Sequence, residues 1–284
     1  MRTVYLNGDY VPENEAHISV FDRGFLFADG VYEVTTVVDG KLIGFDGHIA
    51  RLQRSLDELN YGYKVDREDM LAIHRELVKL NNIDQGMIYL QVTRGNPGDR
   101  DFAFPPADTP VTMVLFTQAK KVVGTGIETT GLKVVSVEDL RWGRRDIKTV
   151  QLLYPSLAKM EAKARGADDA WLVQDGHVTE GTSNNAYIVK DGKIITRELS
   201  NDILHGITRK SVLECARLLQ MEVVERPFTM DEAYAAEEAF VTSASGFTNP
   251  VVELDGKPVG TGKPGPVAGK LRGVYLEENL KAAV

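Results

Sequence analysis

Val31-Tyr32-Glu33-Val34-Thr35-Thr36-Val37-Val38, then Asp39-Gly40, then Lys41-Leu42-Ile43-Gly44-Phe45 is the stretch on which the reading of this chain turns. A β-branched run, an Asp-Gly pair and a second short apolar run describe a hairpin. Asp46 then stands where a helix N-cap belongs, and Ile49, Leu52, Leu56 and Leu59 fall on one helical face after it. Met70, Ile73, Leu77 and Leu80 repeat the pattern in a second helix. Further strands are expected at Gly86–Thr93 and 111–117, with a Gly/Pro/Asp-rich loop at 95–110 between them, long enough to suggest a function.

Beyond 119–130, where Lys, Gly and Thr gather as a linker would have them, the pattern resumes. A strand is expected at 132–137, helices at 151–165, 207–219 and 267–280, and hairpins at Asp175-Gly176, Asp191-Gly192 and Asp255-Gly256. The expected architecture is α+β in two domains: a small α/β domain at 1–118, a linker at 119–130 and a larger domain at 131–284. A chain of 284 residues, 43% hydrophobic and 26% charged, has the balance of a soluble globular protein. Its net charge of -8 argues against a nucleic-acid or anionic-membrane surface. No signal-peptide core or membrane-length apolar run stands out, so a cytoplasmic protein is expected. The single cysteine, Cys215, sits in a helical repeat and reads as a buried side chain. Gly-Lys-Pro-Gly-Pro at 262–266 lacks the Walker spacing and reads as a turn.

Three polar clusters offer chemistry. In Arg141-Trp142-Gly143-Arg144-Arg145-Asp146-Ile147-Lys148, neighbouring guanidiniums would favour a neutral amine at Lys148, the form that Schiff-base chemistry needs. The same residues also describe a solvated basic loop. Thr179-Glu180-Gly181-Thr182-Ser183-Asn184-Asn185 places one carboxylate among small hydroxyl and amide groups, either a loop or a site for a ring. Val241-Thr242-Ser243-Ala244-Ser245-Gly246, with Gly206-Ile207-Thr208-Arg209 at a helix start, could cradle a phosphate. No metal-ligand spacing occurs among them.

Taken in order, several segments resemble the fold-type IV aminotransferases, especially the D-amino-acid transaminases. They are Asp22-Arg23-Gly24-Phe25-Leu26-Phe27-Ala28-Asp29-Gly30-Val31-Tyr32-Glu33, His48-Ile49-Ala50-Arg51-Leu52, Val92-Thr93-Arg94-Gly95, Arg141-Trp142, Asp146-Ile147-Lys148, Val178 to Asn184, and Gly206-Ile207-Thr208-Arg209. The resemblance implies a two-domain α+β fold with a barrel-like larger domain, a homodimer, and pyridoxal 5'-phosphate held by Lys148 as a Schiff base. It implies that Glu180 meets the pyridine nitrogen, where an anion favours the protonated ring, a better electron sink. It assigns the phosphate to Arg51, with Thr208, Thr242 and Ser243 completing the cup. Thr182, Ser183, Asn184 and Ile207 join the cofactor contacts. Tyr32, Val34, Thr36, Tyr89, Arg100, Phe102 and Ala244 fall on the substrate side.

The implied reaction is ping-pong transamination of D-amino acids such as D-alanine with a 2-keto acid. Val34 matches the D-amino-acid branch, where branched-chain members of the family have glycine. The better-known D-specific enzymes take the substrate carboxylate on an Arg-x-His pair of the long loop, supplied by the neighbouring subunit. Here the loop reads Arg100-Asp101-Phe102, one residue longer and without the histidine, and Thr36 stands near the place of a lysine. That departure suggests (R)-primary amines as further substrates. The alternatives are a branched-chain L-aminotransferase, an aminodeoxychorismate-type lyase, or a cofactor-binding protein without turnover.

Overall fold

The computed structural model describes residues 1–284. Its contacts divide into one unit of Met1–Val123, Ile147–Gln151 and Ala282–Val284, and a second of Gly124–Asp146 and Leu152–Lys281.

The first unit runs β1 (Thr3–Leu6), β2 (Asp9–Pro12), α1 (Arg23–Phe27), β3 (Gly30–Val38), β4 (Lys41–Ile43), α2 (Phe45–Glu58), α3 (Arg67–Leu80), β5 (Gly86–Thr93) and β6 (Thr112–Ala119). Its antiparallel sheet has the order β2-β1-β6-β5-β3-β4. The quoted hairpin forms with Val38 opposite Lys41, and both Asp39 (φ 50°) and Gly40 (φ 70°) adopt the positive φ that its tight turn demands. Alternation along β3 then assigns the faces. Val31 and Val37 join Leu52, Leu56, Leu77, Ile88, Leu90, Val92 and Leu115 in a core beneath α2 and α3. Tyr32, Val34 and Thr36 point to the opposite face, where Tyr32 stacks on Tyr89 at 5.5 Å and Tyr89 on Phe116 at 4.9 Å. Asp46 does not cap α2: the cap is Gly44, at φ 64°, and Asp46 lies in the first turn, where its charge still favours the helix dipole. The helix α1 and the β1–β2 hairpin were not apparent from periodicity, being too short to show one.

The second unit runs α4 (Ile127–Thr130), β7 (Leu132–Glu138), α5 (Leu153–Ala164), β8 (Asp169–Gln174), β9 (His177–Gly181), β10 (Asn185–Lys190), β11 (Lys193–Thr196), α6 (Ile207–Leu218), β12 (Val223–Glu225), α7 (Met230–Tyr234), β13 (Glu238–Ser243), β14 (Phe247–Leu254), β15 (Lys257–Pro258) and α8 (Pro266–Lys281). A mixed sheet orders these strands β12-β11-β10-β13-β14-β7-β8-β9, with β15 on β14. It curls so that β9, at its edge, returns against β10 through the Gly181–Asn184 turn. Trp171, Val178, Ile188, Phe228, Val241 and Leu254 fill one core. Cys215 is buried in α6.

The expected division of the chain needs correction. The segment 119–130 is not a plain linker, because β6 reaches Ala119, α4 forms at its end, and the units divide between Val123 and Gly124. Ile147–Gln151 and Ala282–Val284 pack with the first unit although they lie within 131–284. Ile147 enters the core under α2, and Val284 exchanges backbone hydrogen bonds with Leu42. Both attachments are long-range pairings that local composition does not reveal.

The fully buried Leu77 ties α3 to the sheet. Leu77→Ala is expected to lower the unfolding free energy by about 2–5 kcal/mol in denaturant titration. A loss below about 1 kcal/mol would show that this core is not packed as described.

Candidate active site

Lys148 is placed by a backbone pairing. β4 accompanies β3 only along Thr36–Val38, leaving the Gly30–Tyr32 edge open. The segment around Lys148 fills it: Tyr32 N donates to Lys148 O at 3.0 Å, Val150 N donates to Gly30 O at 3.0 Å, and Val31 bridges Thr149. Ile147 turns into the core, and the Lys148 amine lies 4.0 Å from the centre of the Tyr32 ring.

Beneath the same strand, on its helix-facing side, Glu33 meets two side chains of α2. Arg51 donates from Nε to Oε1 and from Nη2 to Oε2, each at 2.8 Å, and His48 Nδ1 lies 2.7 Å from Oε2. The helical spacing of His48 and Arg51 brings both to one carboxylate. Burial would raise the Glu33 pKa, but Arg51 and His48 bring it down to about 2. Burial lowers that of His48, with the Arg51 and Lys148 charges adding to the effect against the pull of Glu33. The planar fork holds the Arg51 guanidinium in one orientation.

In the second unit, Glu180 is almost fully buried and its carboxylate is surrounded by donors. Arg141 Nη1 donates at 2.6 Å, Asn185 Nδ2 at 3.0 Å and Leu204 N at 3.1 Å. Burial pushes this carboxyl up, while Arg141 and the Leu204 amide pull the other way. Each of these partners donates to the carboxylate, although burial outweighs them and leaves its pKa raised. Arg141 is itself held by Asp139, through Nε at 2.9 Å and Nη2 at 2.8 Å. Asp139 also accepts from Thr179 Oγ1 at 2.6 Å. Sequence reasoning missed the parts played by Arg141, Asn185 and the Leu204 amide, since nothing local marks which polar residues converge. The Arg141-Trp142 match and the place of Asn185 in the cluster around Glu180 were the available signals.

The expected positive field from the three arginines before Lys148 is not delivered. Arg141 pairs with Asp139 and Glu180, Arg144 with Asp146, and Arg145 donates to Gln174 with Asp139 and Asp202 nearby. Each guanidinium is compensated at its source, so the electrostatic argument from the sequence does not hold.

The third cluster assembles around the start of α6. Gly206 occupies the N-cap without a side-chain cap, leaving the first N–H groups of the helix for an anion. A Cβ on Gly206 would come within 2.2 Å of Asn185 Oδ1, so a side chain here would push Asn185 away from Glu180. Thr208 is buried in the first turn, with Ile207 before it. Thr242 is buried beside the Tyr187 hydroxyl at 3.0 Å, and Ser243 Oγ accepts from Gly246 N at 3.1 Å, closing a tight turn that includes Ala244. Buried hydroxyls, a glycine cradle and an uncapped helix start form a donor set suited to a phosphate, and the Glu180 carboxylate suits a protonated ring nitrogen. The residues present therefore fit pyridoxal 5'-phosphate.

Other expected cofactor contacts are turned elsewhere. Thr182 Oγ1 donates to Asp169 Oδ1 at 2.5 Å and Asn184 Nδ2 to Asp169 Oδ2 at 2.7 Å, so these side chains brace the β9–β10 turn. Ser183 between them is exposed. On the substrate side, Tyr32, Val34, Thr36 and Tyr89 share one face of the first sheet. Arg100 and Phe102 lie exposed on the long loop, with the Arg100 guanidinium 4.9 Å from the Phe102 ring.

With this geometry in view, the comparisons with known proteins agree. Residues 30–254 match the model of the amino-transferase class IV family, and the chain belongs to that family. It is 39% identical to a D-alanine aminotransferase of Staphylococcus aureus over 272 residues, 96% of each chain. It is 37% identical to the D-alanine aminotransferase of Bacillus licheniformis over 265 residues, 93% of this chain and 92% of that one. Among solved structures, the branched-chain amino acid aminotransferase of T.th., determined with pyridoxamine 5'-phosphate, superposes with a TM-score of 0.88 at 29% identity, covering 97% of this chain and 93% of that one. The protein is a pyridoxal-phosphate aminotransferase of the two-domain α+β type. No helix is long and apolar enough to cross a membrane.

The Glu33 pKa sets a pH dependence. A carboxylate depressed from 4.5 to about 2 contributes stability that is complete above pH 4.5 and lost as pH falls toward 2. Glu33→Gln is expected to flatten the loss of unfolding free energy between pH 5 and pH 2 by on the order of 3 kcal/mol relative to the parent chain. Parallel slopes for the two proteins in denaturant titrations would refute the assignment.

Proposed function

We propose that this enzyme transfers the amino group of D-amino acids, D-alanine among them, to a 2-keto acid by a ping-pong mechanism. The observation that carries the reading is the Lys148 amine held over the Tyr32 ring, on the sheet face away from the core. It is supported by similarity to D-alanine aminotransferases over nearly the whole chain. The solved branched-chain relatives share the fold at lower identity, and the fold alone does not separate the two substrate classes.

Bound pyridoxal 5'-phosphate supplies a carbonyl carbon that exchanges amines and a pyridine ring that takes up the electron pair released at the substrate Cα. Lys148 Nζ holds the cofactor between turnovers, and as the free amine takes the Cα proton and returns it on the other side of the transfer. Glu180 keeps a proton at the ring nitrogen, and Arg141, Asn185 and the Leu204 amide keep Glu180 in place. Arg51, Thr208, Thr242 and Ser243 bind the phosphate, with Ile207 supplying its amide at the helix start. Thr182, Ser183 and Asn184 shape the turn that carries Glu180. Tyr32, Val34, Thr36, Tyr89 and Ala244 line the substrate side, and Arg100 receives the substrate carboxylate.

Phe102 beside Arg100, where a second polar group would strengthen dependence on a carboxylate, supports some turnover of (R)-primary amines. A homodimer is supported by α5, whose Leu153, Leu157 and Met160 form an exposed apolar stripe at helical spacing.

Half-reactions followed by absorbance on cofactor-loaded protein test the reading, with D-alanine, L-leucine and (R)-1-phenylethylamine added separately and no acceptor present. D-Alanine is expected to convert the cofactor band, and the amine to convert it more slowly. Conversion by L-leucine alone would replace the D-specific reading with the branched-chain one. Glu180→Gln is expected to retain the cofactor and slow the D-alanine half-reaction by roughly 10²-fold. An unchanged rate would remove Glu180 from its role.

A further inference from the structure

In the first unit, five side chains beyond Arg100 continue an alternation of cation and ring. The Arg100 guanidinium carbon lies 4.9 Å from the centre of Phe27. Arg23 lies 4.5 Å from the same ring and 5.6 Å from Phe104. Arg94 lies 3.9 Å from Phe104 and 4.1 Å from Tyr61. The series therefore begins at buried Tyr61 and ends at exposed Arg100.

One carboxylate serves the two buried arginines. Asp29 Oδ2 accepts from Arg23 Nε and from Arg94 Nε, each at 2.8 Å, and the Tyr61 hydroxyl donates to Oδ1 at 3.0 Å. Arg94 spends its other nitrogens on the carbonyls of Leu59, at 2.7 Å, and Asn60, at 3.2 Å. Arg23 reaches into the long loop instead: its Nη1 donates to Asp101 O at 2.6 Å and Ala103 O at 3.2 Å. Those carbonyls flank Phe102, and that of Asp101 directly follows Arg100. The base of Arg23 is fixed as well, because Asp22 caps α1 and accepts from Thr93 Oγ1 at 2.9 Å. Arg100 itself forms no ion pair within the chain. Its place is set by rings and by the backbone that Arg23 holds.

We propose that Arg23, acting with Asp29 and Phe104, is the positioning residue that fixes the 100–104 segment and thereby sets how well Arg100 receives a substrate carboxylate. This rests on the reading of Arg100 as the carboxylate receptor. A long side chain that must be ordered on binding weakens affinity, and fixing it beforehand removes that cost. The consequence falls on ground-state binding, and so on KM rather than kcat. Lysine cannot replace arginine here, because one ammonium cannot serve Asp29 and two loop carbonyls with a planar fork.

Steady-state kinetics with D-alanine at saturating 2-keto acid test this on Arg23→Lys, Phe104→Leu, Arg100→Met and the Arg23→Lys/Arg100→Met double variant. Phe104 is exposed, so its variant reports on the device even if the buried substitution perturbs folding. Arg100→Met is expected to raise KM roughly tenfold or more, and Arg23→Lys and Phe104→Leu roughly three- to tenfold, with kcat little changed. Arg23→Lys is expected to add nothing in the Arg100→Met background, the mark of two residues acting as one. Chymotrypsin should also cut faster at Phe102 or Phe104 in Arg23→Lys, showing the released loop. An unchanged KM in Arg100→Met would remove the carboxylate reading and this proposal with it. A raised KM in Arg100→Met alone, with the parent value in the other two variants, would overturn the positioning role and leave that reading standing. A full effect of Arg23→Lys in the double variant would likewise overturn it.

Discussion

A short backbone pairing at the outer edge of β3 is the constraint that places Lys148 and joins its segment to the first unit. A strand edge with free N–H and C=O groups calls for a partner. β4 stops short of Gly30–Tyr32, and the stretch around Lys148 occupies the opening with two 3.0 Å hydrogen bonds. The chain bends between these two bonds, with Thr149 N donating to Ile147 O at 2.8 Å in a γ-turn centred on Lys148. Ile147 enters the core on one side of this turn and the Lys148 amine comes to rest over Tyr32. The position of the Lys148 main chain is thus a consequence of sheet pairing, and it sets the side chain beside Tyr32.

Around that frame, buried charges come in matched sets that cross secondary-structure elements. Glu33 of β3 holds His48 and Arg51 of α2, Asp139 holds Arg141 against Glu180, and Asp29 holds Arg23 and Arg94. Such sets contribute little net stability once the desolvation of each charge is counted. Their effect is orientation, and removing one member strands the others. Arg100 departs from this rule: it is cationic, stacked on rings and without a carboxylate partner.

Much of the architecture was legible in the sequence because it is written locally. The Asp-Gly pairs at 39–40, 175–176, 191–192 and 255–256 each adopt positive φ at both residues. The apolar spacing of Ile49, Leu52 and Leu56 marks a helix face that packs as expected. Lys148 and Glu180 drew attention through the family resemblance, whereas the local electrostatic argument for Lys148 failed because nothing local shows which partners the neighbouring arginines take: Asp139 and Asp146 nearby, Glu180 and Asp202 far along the chain. The engagement of Thr182 and Asn184 by Asp169 was hidden for the same reason, as were Asn185 and Leu204 around Glu180. The attachment of Ile147–Gln151 to the first unit is also a long-range event. Composition reports what a residue can do, and only the fold reports which partner it finds.

Reductive trapping addresses the central claim most directly. The cofactor-loaded protein would be treated with sodium borohydride, digested, and its peptides analysed by mass spectrometry. The account predicts a pyridoxyl label on the peptide carrying Lys148 and on no other lysine. A label at a different lysine, with Lys148 unmodified, would contradict it.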